Sequence, residues 1–239
     1  MGLNTKNVKA GSGSLLKNIL PGEHEVKVTS LELKRFPFME KDNGYYLIMN
    51  VETRPVSGNF EGFLIDSNDE SKGRYEGQIG AVKMNKWYYK DGTTKSGVFI
   101  SRDDEMLKAL KRLCVAAGAE KWFDVDINEK YDTIEELIEG YNTTSPARDE
   151  FVRMTIAGRE YQKTNGYIGY DLFLAKVAPK TVNIEAVDAN PSTLVKYSEA
   201  EHLEKFVPQE VQGFADDTTD PAVGSDFDSD LSGAPEFEL

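Results

Sequence analysis

Phe151-Val152-Arg153-Met154-Thr155-Ile156 leads through Arg159-Glu160-Tyr161-Gln162-Lys163 to the turn Thr164-Asn165-Gly166, and the chain returns as Tyr167-Ile168-Gly169-Tyr170-Asp171-Leu172-Phe173-Leu174. Val152, Met154 and Ile156 share one face of an alternating strand. Asn-Gly between two such runs is the strongest short-range hairpin signal, because both residues tolerate the positive φ that a tight turn needs. Pro179 closes the segment.

Working outward, the N-terminal third repeats the strand pattern. From His24 to Phe36, Val26 and Val28 share one parity while Leu31 and Leu33 share the other. A parity switch inside one long strand predicts a β-bulge. Asp42-Asn43-Gly44 marks a turn. Tyr45, Leu47, Met49, Val51 and Thr53 then alternate with Tyr46, Ile48, Asn50 and Glu52, placing Tyr46 on the less apolar face of a half-buried strand that Arg54-Pro55 ends. A third short strand is expected near Phe60 to Ile65.

Between about Asp66 and Asp149 lies an insertion of helical character. Ser101-Arg102-Asp103-Asp104 reads as a capping box with Asp in place of Glu. Met106, Leu107, Leu110, Leu113, Cys114 and Ala117 then form one apolar face, and Gly118 stands at the C′ position. Thr133 and Glu136 cap a shorter helix that Gly140 is expected to end. Three strands, helices, then a hairpin predict a chain that is mainly β with an α insertion. That order is the layout of an oligonucleotide-binding (OB-fold) barrel of five antiparallel strands, with the helix between strands three and four. A mixed α+β domain with an antiparallel sheet is the other architecture the order admits. The expected organisation is a flexible leader over 1–20, the OB-fold domain over 21–180, an extension over 181–207 with room for one late helix from Asn190 to Phe206, and a disordered acidic tail over 208–239.

Charge is distributed unevenly. The 239 residues carry a net −13, yet Pro208 to Leu239 holds nine acidic side chains and no Lys or Arg, leaving the body at −4. That tail is rich in Asp, Ser, Thr, Gly and Pro and cannot bury enough surface to fold. It finishes as Glu236-Phe237-Glu238-Leu239, apolar anchors among carboxylates. Together with Asp226, Asp228 and Asp230 these read as a partner-docking segment rather than a purely solubilising one. The Asp alternation is EF-hand-like, but Leu231 stands where a calcium loop needs Gly and Phe237 where it needs Glu. A single Cys and two distant His give no metal or nucleophile constellation, so neither metal, cofactor nor catalysis is expected. No run approaches 18 apolar residues, and no secretory h-region opens the chain, so a cytoplasmic protein without a membrane partner is expected.

Gly22-Glu23-His24-Glu25-Val26, Gly44-Tyr45-Tyr46-Leu47 and Gly58-Asn59-Phe60-Glu61-Gly62 resemble the opening of phage-type OB-fold single-stranded-DNA-binding proteins. Leu107-Lys108-Ala109-Leu110-Lys111-Arg112-Leu113 before Ala116-Ala117-Gly118, and the late Tyr161–Tyr170 hairpin, extend the likeness over roughly residues 20–178. The tail is similar in kind to the acidic, aromatic-ended tails of such proteins, though Pro235 is separated from Phe237. The resemblance implies sequence-neutral binding of single-stranded DNA in replication, recombination or repair, in the host cytoplasm for a bacteriophage protein. It also implies that the tail recruits a polymerase, helicase or primase.

Single strands are held by rings that stack on bases and by cations that neutralise phosphates. Three segments offer both. After the first strand come Lys34, Arg35, Phe36 and Phe38; one of the two phenylalanines could instead close the barrel end. In Lys72–Lys95, a local +4, lie Arg74, Lys83, Lys86, Trp87, Tyr88 and Tyr89, with Met84–Tyr89 and Val98–Ile100 read as arms of a projecting hairpin and Trp87 and one Tyr as its alternative core contacts. The late hairpin supplies Arg153, Arg159, Tyr161, Lys163 and Tyr167, with Tyr170 the more core-like ring. Tyr46 joins them from the outer face of the second strand. The competing functions are an OB-fold protein-interaction module and an acidic DNA-mimic inhibitor, neither of which would bind DNA.

Overall fold

The computed structural model describes residues 16–53, 69–73 and 77–207. Five strands close a barrel: β1 (Gly22–Lys34), β2 (Tyr46–Thr53), β3 (Gly77–Lys83), β4 (Phe151–Gln162) and β5 (Ile168–Leu174). β1 pairs antiparallel with β2 and with β4, β2 with β3, and β4 with β5; a parallel contact of β3 with β5 completes the circuit. The helices α1 (Arg102–Ala116) and α2 (Ile134–Thr144) fall between β3 and β4. This mainly β architecture, a closed five-stranded barrel with a few helices, is consistent with the OB-like layout expected from the strand order.

The parity switch in β1 appears as a register shift between Val28 and Ser30. Val26 and Val28 before it, and Leu31 after it, all face the core. The bulge frees backbone groups that α2 and the 3₁₀ turn Pro146–Arg148 after it satisfy. Asn142 donates to the Leu31 carbonyl at 2.8 Å and accepts from the Leu31 amide at 2.7 Å, while Arg148 donates to the Thr29 carbonyl at 3.0 Å. Buried backbone groups need such partners, so the bulge and α2 fix each other.

Both predicted N-caps form. Ser101 accepts from the Asp104 amide at 3.4 Å, and Thr133 from the Glu136 amide at 3.2 Å. Met106, Leu110, Leu113 and Cys114 are buried, whereas Leu107 is half-exposed at the margin of that face. Gly118 takes φ 69° after the last turn of α1, where a Cβ would be strained. Gly140 does not end α2, which continues to Thr144. A Cβ at Gly140 would lie 2.3 Å from the Tyr131 ring, so this glycine admits a close-packed neighbour.

The strand expected near Phe60–Ile65 lies outside the described residues. Among the described residues, three elements depart from expectation. The strand that pairs with β2 to continue the barrel is Gly77–Lys83, inside the segment expected to be an insertion. Gly80 obscured it, yet a Cβ there would meet the Ile19 side chain at 2.3 Å, so the glycine lets Ile19 pack against the strand. The projecting ribbon is formed by Gly92–Thr93 and Phe99–Ile100, not by Met84–Tyr89. The late helix spans only Glu199–His202. Its surroundings are stitched to the barrel: Ile184–Ala186 pairs antiparallel with β4, Leu203–Glu204 pairs with it in parallel, and Thr155 donates its hydroxyl to the Val195 carbonyl at 2.5 Å. Backbone paired in that way cannot also form a long helix. Val195 covers Ala157, Phe173 and Ala175, a small second core on the outside of the barrel.

Candidate nucleic-acid interface

Strand alternation sends every second residue outward, and cross-strand register decides which of them meet. Lys34 stands opposite Tyr46, and Ile48 is flanked by Glu32 and Lys83. Lys83 neighbours Phe173 on β5, Asp171 faces Arg159, and Gly169 faces Tyr161. One continuous outer surface therefore runs from β1 across β2, β3 and β5 to β4.

Four rings gather at one end of it. Phe36 and Phe38 stack with centroids 5.8 Å apart and planes 4° from parallel. Tyr46 meets Phe36 edge-on at 6.2 Å, and Tyr88 meets Phe38 at 6.1 Å and Tyr46 at 6.0 Å. Pro37 makes this possible: it opens a short 3₁₀ turn, Pro37–Asp42, that leaves Phe36 extended and brings the two rings to one side. Buried Met39 anchors the turn from beneath. Arg35 pins its far end, donating to the Asn43 side chain at 2.6 Å and to the Gly44 carbonyl at 3.2 Å. Gly44 is needed because Tyr88 lies against it; a Cβ would come within 2.5 Å of that ring.

The Tyr88 hydroxyl donates to Asp42 at 2.8 Å. That bond pushes the Tyr88 phenol up, burial adding to it. The same bond, ahead of the Lys90 charge, holds the Asp42 carboxyl below its ordinary value against a smaller opposing effect of burial. Tyr46 is also raised, chiefly by burial and then by the Asp171 charge, with Arg159 opposing. Both phenols therefore stay neutral at physiological pH. Neutral rings stack on bases without repelling phosphates.

Cations border the cluster. Lys34 lies 5.2 Å from the Phe36 ring and Lys83 4.2 Å from that of Tyr46. Beyond Lys83, Lys86 and Arg159 converge on one carboxylate, Glu204. Further along, Tyr161 and Lys163 both lie over Gly169, where an added Cβ would sit 2.7 Å from the ring and from Lys163 Cε. Tyr167 is the most exposed of these rings, and Trp87 is half-exposed beside Lys86.

Two expected residues stand apart. Tyr89 is buried in the core, its backbone bridged to Tyr45 at 2.7 and 3.0 Å, so its ring is not offered to a ligand. Arg153 is committed to buried Glu185 and clasps the Ile184–Ala186 strand. Arg74 and all of the tail residues, from Asp226 to Leu239, lie outside the described residues.

Sequence reasoning missed the carboxylates. Asp171 pairs with Lys83 at 2.7 Å, Asp42 with Lys90 at 3.5 Å, and Glu204 with both Lys86 and Arg159. The outer surface is thus a shelf of rings whose cations are largely matched by acids. No spacing could have revealed pairs separated by 45 to 118 residues.

Elsewhere, burial pushes the Cys114 thiol up to about 12, which removes it as a nucleophile. Among the described residues no helix is long and apolar enough to cross a membrane. No protein-family model and no curated protein matches the chain.

Proposed function

We propose that this chain binds single-stranded DNA without sequence preference and takes part in no catalysis. Bases would stack on Phe36, Phe38, Tyr46 and Tyr88, then on Trp87, Tyr161 and Tyr167, while Lys34, Lys83, Lys86, Arg159 and Lys163 meet the phosphates. The observation that carries this reading is the four-ring cluster. Large rings in mutual contact on the outer face of a small barrel, with ammonium groups at their margins, supply the two parts that such binding needs. Coating exposed strands would melt hairpins and exclude nucleases during replication, recombination or repair. Residues 208–239 would recruit a polymerase, helicase or primase through acidic and apolar contacts.

The charge matching of the shelf favours a second reading, an OB-like module that binds another protein. One measurement separates them. Affinity for a long oligo-dT is read by anisotropy across a range of salt concentrations, with the full chain and with a chain ending at Phe206. Single-strand binding predicts a linear fall of log K with log[salt], about 0.7 per phosphate neutralised. No binding at the lowest salt overturns the DNA reading.

A further inference from the structure

Glu204 sits between two cations, Lys86 and Arg159. One carboxylate oxygen accepts from Lys86 and the other from the Arg159 guanidinium at 2.6 Å. A phosphodiester offers the same pattern, two anionic oxygens to a pair of convergent donors. The carboxylate is delivered by a short, separately anchored strap. The Ser198 amide donates to His202 Nδ1 at 3.0 Å, and the His202 ring stacks on Tyr197 at 5.7 Å. Leu203–Glu204 then pairs with Gly158–Arg159 on β4, and the Phe206 amide donates to Glu160 at 3.1 Å.

The strap lies alongside the ring shelf, and only two residues of it pair with β4. The charged side chains at the clasp are all partly exposed, and ion pairs of that kind exchange readily. Burial disfavours the ionised Glu204, yet the hydrogen bonds from Lys86 and Arg159 outweigh it and keep the carboxyl below its usual range. The acid is therefore charged, and engaged with both cations, at neutral pH.

Resting on the single-strand reading above, we propose that Lys86 and Arg159 form a backbone-phosphate site held shut by the chain's own Glu204. An arriving phosphate replaces the carboxylate, and the 203–206 strap leaves the edge of β4. Two consequences follow. Binding must first break the clasp, which lowers affinity. The freed carboxylate regains counterions, which flattens the salt dependence.

The test uses the full chain, its Glu204→Gln variant and, as a charge-matched control, Glu139→Gln on the exposed side of α2. Fluorescein-labelled oligo-dT is titrated by anisotropy across salt. Glu204→Gln is expected to bind about three- to tenfold more tightly at low salt, with a slope steeper by about 0.7, while Glu139→Gln stays near the unaltered chain. Hydrogen exchange supplies a readout independent of any variant: the amides of 203–206 should exchange faster when oligo-dT is bound. If the unaltered chain binds but Glu204→Gln matches it and the 203–206 amides become protected, the clasp is overturned and the DNA reading stands. If neither chain binds, both fall.

Discussion

Replacing Tyr46 with Ala removes the ring that joins the two sides of the cluster. It meets Phe36 at 6.2 Å and Tyr88 at 6.0 Å and carries the Lys83 ammonium at 4.2 Å. Edge-to-face pairs contribute about 0.5–1.5 kcal/mol each, and a partly exposed cation–π contact about 0.5–1 kcal/mol. The fold therefore loses roughly 1.5–4 kcal/mol, less than the ~5–15 kcal/mol of a typical domain. Tyr46→Ala stays folded, with its Tm lowered by about 3–16 °C. A stacked base is worth about 1–3 kcal/mol, so Kd for oligo-dT rises about 5- to 150-fold. Tyr46→Phe keeps the ring and stays within about twofold. Anisotropy across salt separates ring from charge. Tyr46→Ala keeps the slope of log K against log[salt], because no phosphate contact is lost, whereas Lys34→Gln flattens it by about 0.7. A folded Tyr46→Ala that binds as tightly as the unaltered chain refutes the reasoning, and so does a Tyr46→Phe as weak as the alanine.

Further outcomes test the neighbouring residues. Oligo-dT should quench the half-exposed Trp87, not the buried Trp122 that donates to Thr144; the quench disappears in Trp87→Phe and persists in Trp122→Phe, and the reverse pattern would exclude Trp87 from the site. Gly44→Ala drives a methyl to within 2.5 Å of the Tyr88 ring. It should cost about 1–3 kcal/mol by overpacking and weaken oligo-dT binding, checked by thermal melting alongside anisotropy. The Asp42 carboxyl is depressed in the folded chain, so the unfolded chain takes up its proton first on acidification. Its stabilising contribution is complete above its ordinary value of 3.8 and is lost as pH falls through the lower folded value. Asp42→Asn should therefore flatten the acid limb of Tm against pH below about pH 4, and an unchanged limb would show that the Tyr88 bond does not bias the fold.

How legible the site was depended on the range of the signal. The bulge of β1, both helix N-caps, the Gly118 stop and the Asn-Gly hairpin are written in neighbouring residues, and each stands in the fold where the spacing puts it. The rings after β1 were legible because Pro37 constrains them locally. The strand Gly77–Lys83 was not, because Gly80 weakens its local pattern and only contact with Ile19 explains that glycine. Tyr88 and Tyr89 show the same limit: adjacent aromatics, one on the shelf and one in the core, separated only by which way the chain faces after β3.

The sequence by itself determined the number and order of the well-marked elements, the outward placing of Tyr46 and the segregation of anions beyond Pro208. Those follow from period, parity and composition, which are properties of adjacent residues. Tertiary structure alone decided that Phe36, Phe38, Tyr46 and Tyr88 form one shelf, that Arg153 and Tyr89 do not belong to it, and that Glu204 closes on Lys86 and Arg159. The folded chain brings together side chains as distant in sequence as Lys86 and Glu204, 118 residues apart. The register that sets such meetings is an outcome of packing the whole core, which no local run of residues encodes.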